Sequence, residues 1–224
     1  MMKKKIFYSE LAYLFALVAL AVGVMLMEKS DFGVSIVAAP SYLLYRIVSI
    51  ALPWFTFGMA EYVLQFIILI ALLLIIRSFK VTYLLSFATA VIYGLILDGA
   101  MLLGEYLPVT LPLRFVYYVL GMMICSTGVS LMFHTYISPE VYELFVKLVS
   151  RKFNFRISRC KTAFDCGCLI TALAMSLIAF HGLVGINWGT IVCALINGWL
   201  IGRCSAVFEH FFEFRDAFQL RRFF

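Results

Sequence analysis

The sequence predicts an all-α polytopic membrane protein: six transmembrane helices in two inverted three-helix repeats, with short interfacial or re-entrant helices. Three observations carry this. Of 224 residues, 64% are hydrophobic and 13% charged, against about 45–50% and 25% in soluble domains. The apolar residues fall into continuous runs, not the alternation of barrel strands. Finally, features at the end of the first span recur 105 residues later. A soluble globule could not hide so much apolar surface. The composition excludes an ordinary soluble enzyme, a disordered chain and a disulfide-stapled secreted domain.

A spanning helix needs roughly 20 apolar residues. The runs predict spans at Ile6–Met27, Met59–Ile76, Thr82–Leu103, Leu113–Phe133, Asp165–Val184 and Trp188–Arg203. Lys3-Lys4-Lys5 before an apolar run imitates a signal peptide, but the run is long and no A-x-A-like site follows, so it reads as the first span. Val34–Pro53 is interrupted by Pro40, Arg46 and Pro53 and reads as a short re-entrant or interfacial helix. Glu140–Val149 is short and amphipathic and is expected on a membrane face. The tail from Glu209 to Phe224, with mixed charge and phenylalanines, reads as a surface helix. No loop could fold separately. The chain is therefore one membrane domain, with repeat halves at about 6–105 and 112–203 and a cytoplasmic surface tail at 204–224.

Charge sets the orientation. With six spans and the N-terminus inside, 15 of the 18 Lys and Arg are cytoplasmic; only Lys29, Arg46 and Arg114 fall outside. A seven-span chain would reverse every later loop. Multi-pass insertion with both termini cytoplasmic follows as the expectation. The basic segment 147–161 would meet anionic headgroups. The net charge of +6 is weak support for nucleic-acid binding, and none is expected.

The repeat rests on order as well as identity. Gly23-Val24-Met25-Leu26-Met27 closes span 1 and Gly128-Val129-Ser130-Leu131-Met132 closes span 4; in that register Ala16 aligns with Gly121. Glu61 opens span 2 and Asp165 span 5; Asp98-Gly99 lies in span 3 and Asn197-Gly198 in span 6. A three-span unit repeated in tandem must invert, as in many secondary transporters.

Charge within an apolar span is the sharpest functional signal, since a central Asp costs about 2.5–3.5 kcal/mol on insertion scales. Asp98 is either a substrate, cation or proton site or an acid near the outer end of span 3 reaching headgroups. Glu61 and Gln65 share a helix face. With Asp98 and Asn197 they could line one polar cavity, although Glu61 could also sit at the interface and Asn197 could be a plain interhelical hydrogen-bond residue. Asp31, Gly33 and Ser35 suit a capping turn or a substrate gate. The small residues Ala12, Ala16, Ala19 and Gly23, then Gly121, Cys125 and Gly128, and Gly198 with Gly202, read as close helix packing. Cys160, Cys166 and Cys168 lack a second pair or nearby His, so no metal site or other cofactor is expected. No hydrolase, P-loop or dinucleotide motif is present, so an enzyme is not expected.

Gly23-x-x-Leu26…Asp31-x-Gly33-x-Ser35, Asp165-x-Gly167-Cys168 and Gly189-Thr190…Asn197-Gly198…Gly202 resemble the YczE/YyaS/YitT-type bacterial membrane proteins. One departure is that the proline expected soon after Gly-x-Ser comes late, at Pro40. The resemblance implies the topology and a bacterial inner-membrane setting but no substrate.

The function expected is a small secondary transporter or permease with a polar midplane site and an unknown small-molecule or ion substrate. One alternative is the substrate-binding subunit of an energy-coupling vitamin transporter, docking a membrane partner through Ala12-x-x-x-Ala16. A second is a non-transporting scaffold or regulator. Partners would be a homo-oligomer or a second membrane subunit.

Overall fold

In the computed structural model, which describes residues 5–217, a two-stranded parallel sheet brackets eight helices. β1 (Lys5–Tyr8) precedes α1 (Ser9–Ser30), α2 (Ala39–Ala51), α3 (Phe57–Ile76), α4 (Val81–Gly104), α5 (Leu111–Phe133), α6 (Val141–Lys152), α7 (Ile157–Phe180) and α8 (Trp188–Phe211); β2 (Phe212–Arg215) follows. Six helices (α1, α3, α4, α5, α7 and α8) are long and apolar enough to span a bilayer. The protein is an all-α polytopic membrane protein. Local chemistry marks the ends: Thr56 accepts from the Met59 amide at 3.2 Å to start α3, an Asn187–Thr190 capping box starts α8, and Asp31, Arg77 and His181 end α1, α3 and α7 in the left-handed conformation.

α1 and α5 form the largest helix contact. A Cβ on Gly23 would lie 2.8 Å from the Gly121 carbonyl oxygen and 2.8 Å from the Cys125 amide. A Cβ on Gly128 would lie 2.9 Å from the Ala16 oxygen and 3.0 Å from the Leu20 amide. Adding 105 to Ala16, Leu20 and Gly23 gives Gly121, Cys125 and Gly128, so these are one contact seen from each half. Ascending numbers on α1 meet descending numbers on α5, so the helices are antiparallel and the repeat is inverted. Tyr13 and Tyr118 keep the register: Tyr13 donates to Thr89 at 2.9 Å and Tyr118 to the Gly189 carbonyl at 2.5 Å.

The other helices follow the same two-fold relation with shifted offsets. Tyr42 and Tyr45 on α2 pack their rings on Phe57 of α3; Tyr142 and Phe145 on α6 do the same to Phe164 of α7. The buried stripe Glu61, Gln65, Leu69 on α3 matches Cys168, Ala172, Ser176 on α7, an offset of 107. Thr89, Ala90 and Tyr93 on α4 match Gly189, Thr190 and Cys193 on α8, an offset of 100. α1 packs on α4 as α5 packs on α8, and α2 and α6 each contact both α3 and α7.

Glu140–Val149 and the tail differ from expectation, whereas Val34–Pro53 holds the short helix expected of it. Glu140–Val149 does not lie on a membrane face. The Val141 amide donates to Gln65 (3.1 Å) and Lys152 donates to the Ile75 carbonyl, so α6 runs parallel to α3 from its middle to its end. Gln65 is about 12 Å along α3 from Phe57, and the N-terminus of α6 is sunk to that level. Its apolar face, Val141 and Leu144, packs with Leu69, Leu72 and Tyr83 rather than with lipid. Val34–Pro53 yields α2, which at 13 residues is too short to cross; its N-terminal turn is buried and Ile50 near its end is 75% exposed. The tail does not form a separate surface helix: α8 continues to Phe211, and β2 pairs with β1, placing Lys5 opposite Phe212. Both ends of the described segment therefore share one face. Residues 218–224 of the expected tail helix lie outside the described residues. α7 also starts before Asp165, so the basic segment 147–161 is divided among α6, a short turn and α7.

Helical Gly to Ala normally adds stability, but Gly23→Ala and Gly128→Ala push a methyl into backbone. Each should cost about 1–3 kcal/mol, read as a lowered thermal midpoint in detergent. Gly198→Ala, with nothing within 4 Å of the new carbon, should be neutral or stabilising. Equal midpoints for all three variants would contradict the α1–α5 contact.

Candidate functional site

One buried carboxylate collects side chains from both halves. Glu61, on the second turn of α3, is 1% exposed. It accepts from Ser41 on the first turn of α2, from Tyr142 on the first turn of α6 at 2.8 Å, and from Gln65 one turn along α3 at 3.2 Å. Gln65 is fully engaged. Its amide nitrogen also donates to Glu140 at 3.1 Å, and its oxygen accepts the Val141 amide. One glutamine amide thus bridges two carboxyl groups at the sunken start of α6.

Pairing is unequal between the acids. Glu61 has three donors, enough to satisfy an anion. Glu140, 8% exposed, has one side-chain donor. Burial first, then the neighbouring Glu143 and Glu61, push its carboxyl well above the usual range. Among the described residues neither acid forms an ion pair with Lys or Arg; Lys161 pairs with Asp165 at 3.0 Å. The arrangement suits an exchangeable proton or a cationic group, because burial favours the neutral or neutralised acid.

The four expected site residues do not come together as one set. Glu61 and Gln65 do. Asp98 instead accepts from the Gly58 amide and from Thr56, both at 2.7 Å, capping the α3 N-terminus where helix charge is positive. Asn197 accepts from Ser126 on α5 at 2.8 Å. Register explains the split. With α4 and α8 related by 100 residues, Asn197 corresponds to buried Leu97, and Asp98 to Gly198. The aligned pairs Asp98-Gly99 and Asn197-Gly198 are one residue out of step, about 100° around a helix. Likewise Glu61 corresponds to Cys168, not Asp165, so the acid–amide pair belongs to one half only.

Ser41, Glu140 and Tyr142 complete the site and were not expected. Their signal was Pro40-Ser41-Tyr42 and Pro139-Glu140-Val141-Tyr142, each a proline followed by polar groups at the head of a short helix.

The candidate gate is tied down. Gly33 adopts φ +109°, which favours glycine. The Val34 amide donates to the Gly185 carbonyl (3.1 Å), the Phe32 carbonyl accepts from the Gly189 amide (2.9 Å), and Thr190 donates to the Val34 carbonyl (2.9 Å). Asp31 pairs with Arg114 at 3.1 Å. Ser35 follows in the same irregular stretch, before the turn that leads into α2. In the other half Thr89 donates to the Ser138 carbonyl at 3.0 Å, although by the offset of 100 Thr89 matches Gly189 and Thr190 matches Ala90.

Gln65→Leu orphans the buried Val141 amide and should cost about 2–3 kcal/mol, measured by thermal or denaturant unfolding; an unchanged midpoint would refute the bridge. Because the folded protein holds the Glu140 proton more tightly than the unfolded chain, stability should fall as pH rises from the ordinary carboxylate range through the raised folded value. Glu140→Gln should flatten that decline. A slope identical to wild type would mean that Glu140 does not titrate there.

No curated protein and no solved structure matches the chain. Residues 7–206 match a family described as a family of unknown function, DUF6198. This covers most of the chain, with five spans, the greater part of α8 and the Glu61 cluster included, and the protein belongs to that family.

Proposed function

We propose that the protein is a small secondary transporter or permease, substrate unknown, of a bacterial inner membrane, with both termini cytoplasmic. One observation carries this reading: the Glu61 carboxylate is held by Ser41 from the short helix of one half and Tyr142 from the short helix of the inverted half. Inverted repeats that meet at a buried polar site are the architecture of alternating access. Glu61, Gln65 and Glu140 would carry the coupling proton or a cationic substrate group. Asp98 and Asn197 would serve the helix contacts around them, and Asp31, Gly33 and Ser35 the closed contact on the far face. Exposed Arg151, Lys152 and Arg156, beside the stacked Phe153 and Phe155, would rest on anionic headgroups.

The binding-subunit alternative loses its docking stripe. Ala12 and Ala16 are fully buried, and Ala16 faces Gly128 of the same chain.

Proteoliposomes on a solid-supported membrane, given pulses of methylammonium, guanidinium or tetramethylammonium, test the reading. At least one should evoke a current that Glu61→Gln reduces at least tenfold. Val63→Leu, at a half-exposed position on the same helix, should leave it intact. A full current in Glu61→Gln, or none in wild type with any of the three, would count against a cation-handling Glu61 site.

A further inference from the structure

The two halves obey one two-fold relation but are not packed alike. In the first, α4 closes along α3. The Gly58 amide donates to Asp98, Tyr62 covers Gly94, and the Phe66 and Phe87 rings pack at a tilt with centroids 5.6 Å apart. α4 also contacts α6. The equivalent contacts in the second half would join α8 to α7 and α2. Among the described residues α8 has no such packing; it leans on α5, where Tyr118 donates to the Gly189 carbonyl and Ser126 to Asn197. The face equivalent to Gly94 and Asp98 is open: Ala194 is exposed where Gly94 is buried, and Gly198 has nothing within 4 Å of an added Cβ. Gly167 on α7 is equally open.

We propose that the protein has a second conformation in which the halves exchange shapes: α8 closes on α7 and α2 as α4 closes here on α3 and α6, and α4 withdraws. The α1–α5 contact would be the shared pivot, because it maps onto itself under the two-fold. Gly94 and Tyr62 correspond to Ala194 and Leu169 by the offsets of 100 and 107, so these two should meet in the second conformation. Gly94, where α4 approaches Tyr62 of α3, has the small residue Ala194 as its counterpart on α8. The inference deepens the transporter reading, since exchange would expose the Glu61 site alternately, but it is drawn from packing.

In a cysteine-free background in lipid, Leu169→Cys with Ala194→Cys should be joined within one chain by a short bis-methanethiosulfonate reagent. Prior linkage of Phe66→Cys to Phe87→Cys, which ties α4 to α3, should suppress that reaction at least fivefold. No α7–α8 linkage, or linkage unaffected by the α3–α4 tie, would overturn the exchange. Linkage only between chains would also overturn it, showing a second copy in the gap. The cation currents are a separate readout. Linkage without current retains the exchange and removes transport; current without linkage does the reverse.

Discussion

The antiparallel crossing of α1 on α5 is the constraint on which the rest of the structure depends. Lipid tails give apolar helices no hydrophobic reason to associate, so close backbone approach must supply the attraction. Gly23, Gly121 and Gly128 permit it, each with main-chain atoms of the opposite helix where a Cβ would go. Because the contact repeats itself under the 105-residue register, it fixes the two-fold relation. That relation places α2 and α6 on opposite sides of the pivot, each between α3 and α7.

From this follows the polar cluster. A half-length helix that starts inside the bundle carries unpaired N–H groups at its first turn. Buried polar groups must find partners. Gln65 takes the Val141 amide, and its own amide then ties Glu61 to Glu140. The acids are thus part of the solution to burying the start of α6 as well as a candidate site. Glu61 and Gln65 have no polar equivalents on α7, where Cys168 and Ala172 occupy the same stripe, so an approximately symmetric scaffold holds an asymmetric site.

Much of the fold was legible in the sequence. Continuous apolar runs located all six spans, and the Gly-Val-x-Leu-Met match gave the register of α1 against α5. What failed were registers in helices whose connections differ in length. Asp98 with Asn197, and Glu61 with Asp165, were aligned by residue type, and one or three residues of error rotate a side chain off the intended face. α6 was misplaced for a different reason. An amphipathic pattern reports one apolar and one polar face but not whether lipid or α3 covers the apolar one. The β1–β2 pairing joins segments more than 200 residues apart, and nothing local announces it.

The central claim is that two inverted halves each sink a short helix toward one shared carboxylate. The depth of α6 tests it most directly. Spin labels at Glu143 and Arg151, in lipid, can be compared for collision with dissolved oxygen and with a water-soluble nickel chelate. The account predicts a label at 143 deeper by about 12 Å, the rise of eight helical residues, with the label at 151 near the surface. Equal, shallow depths at both positions would describe a helix lying flat on the membrane and would contradict the account.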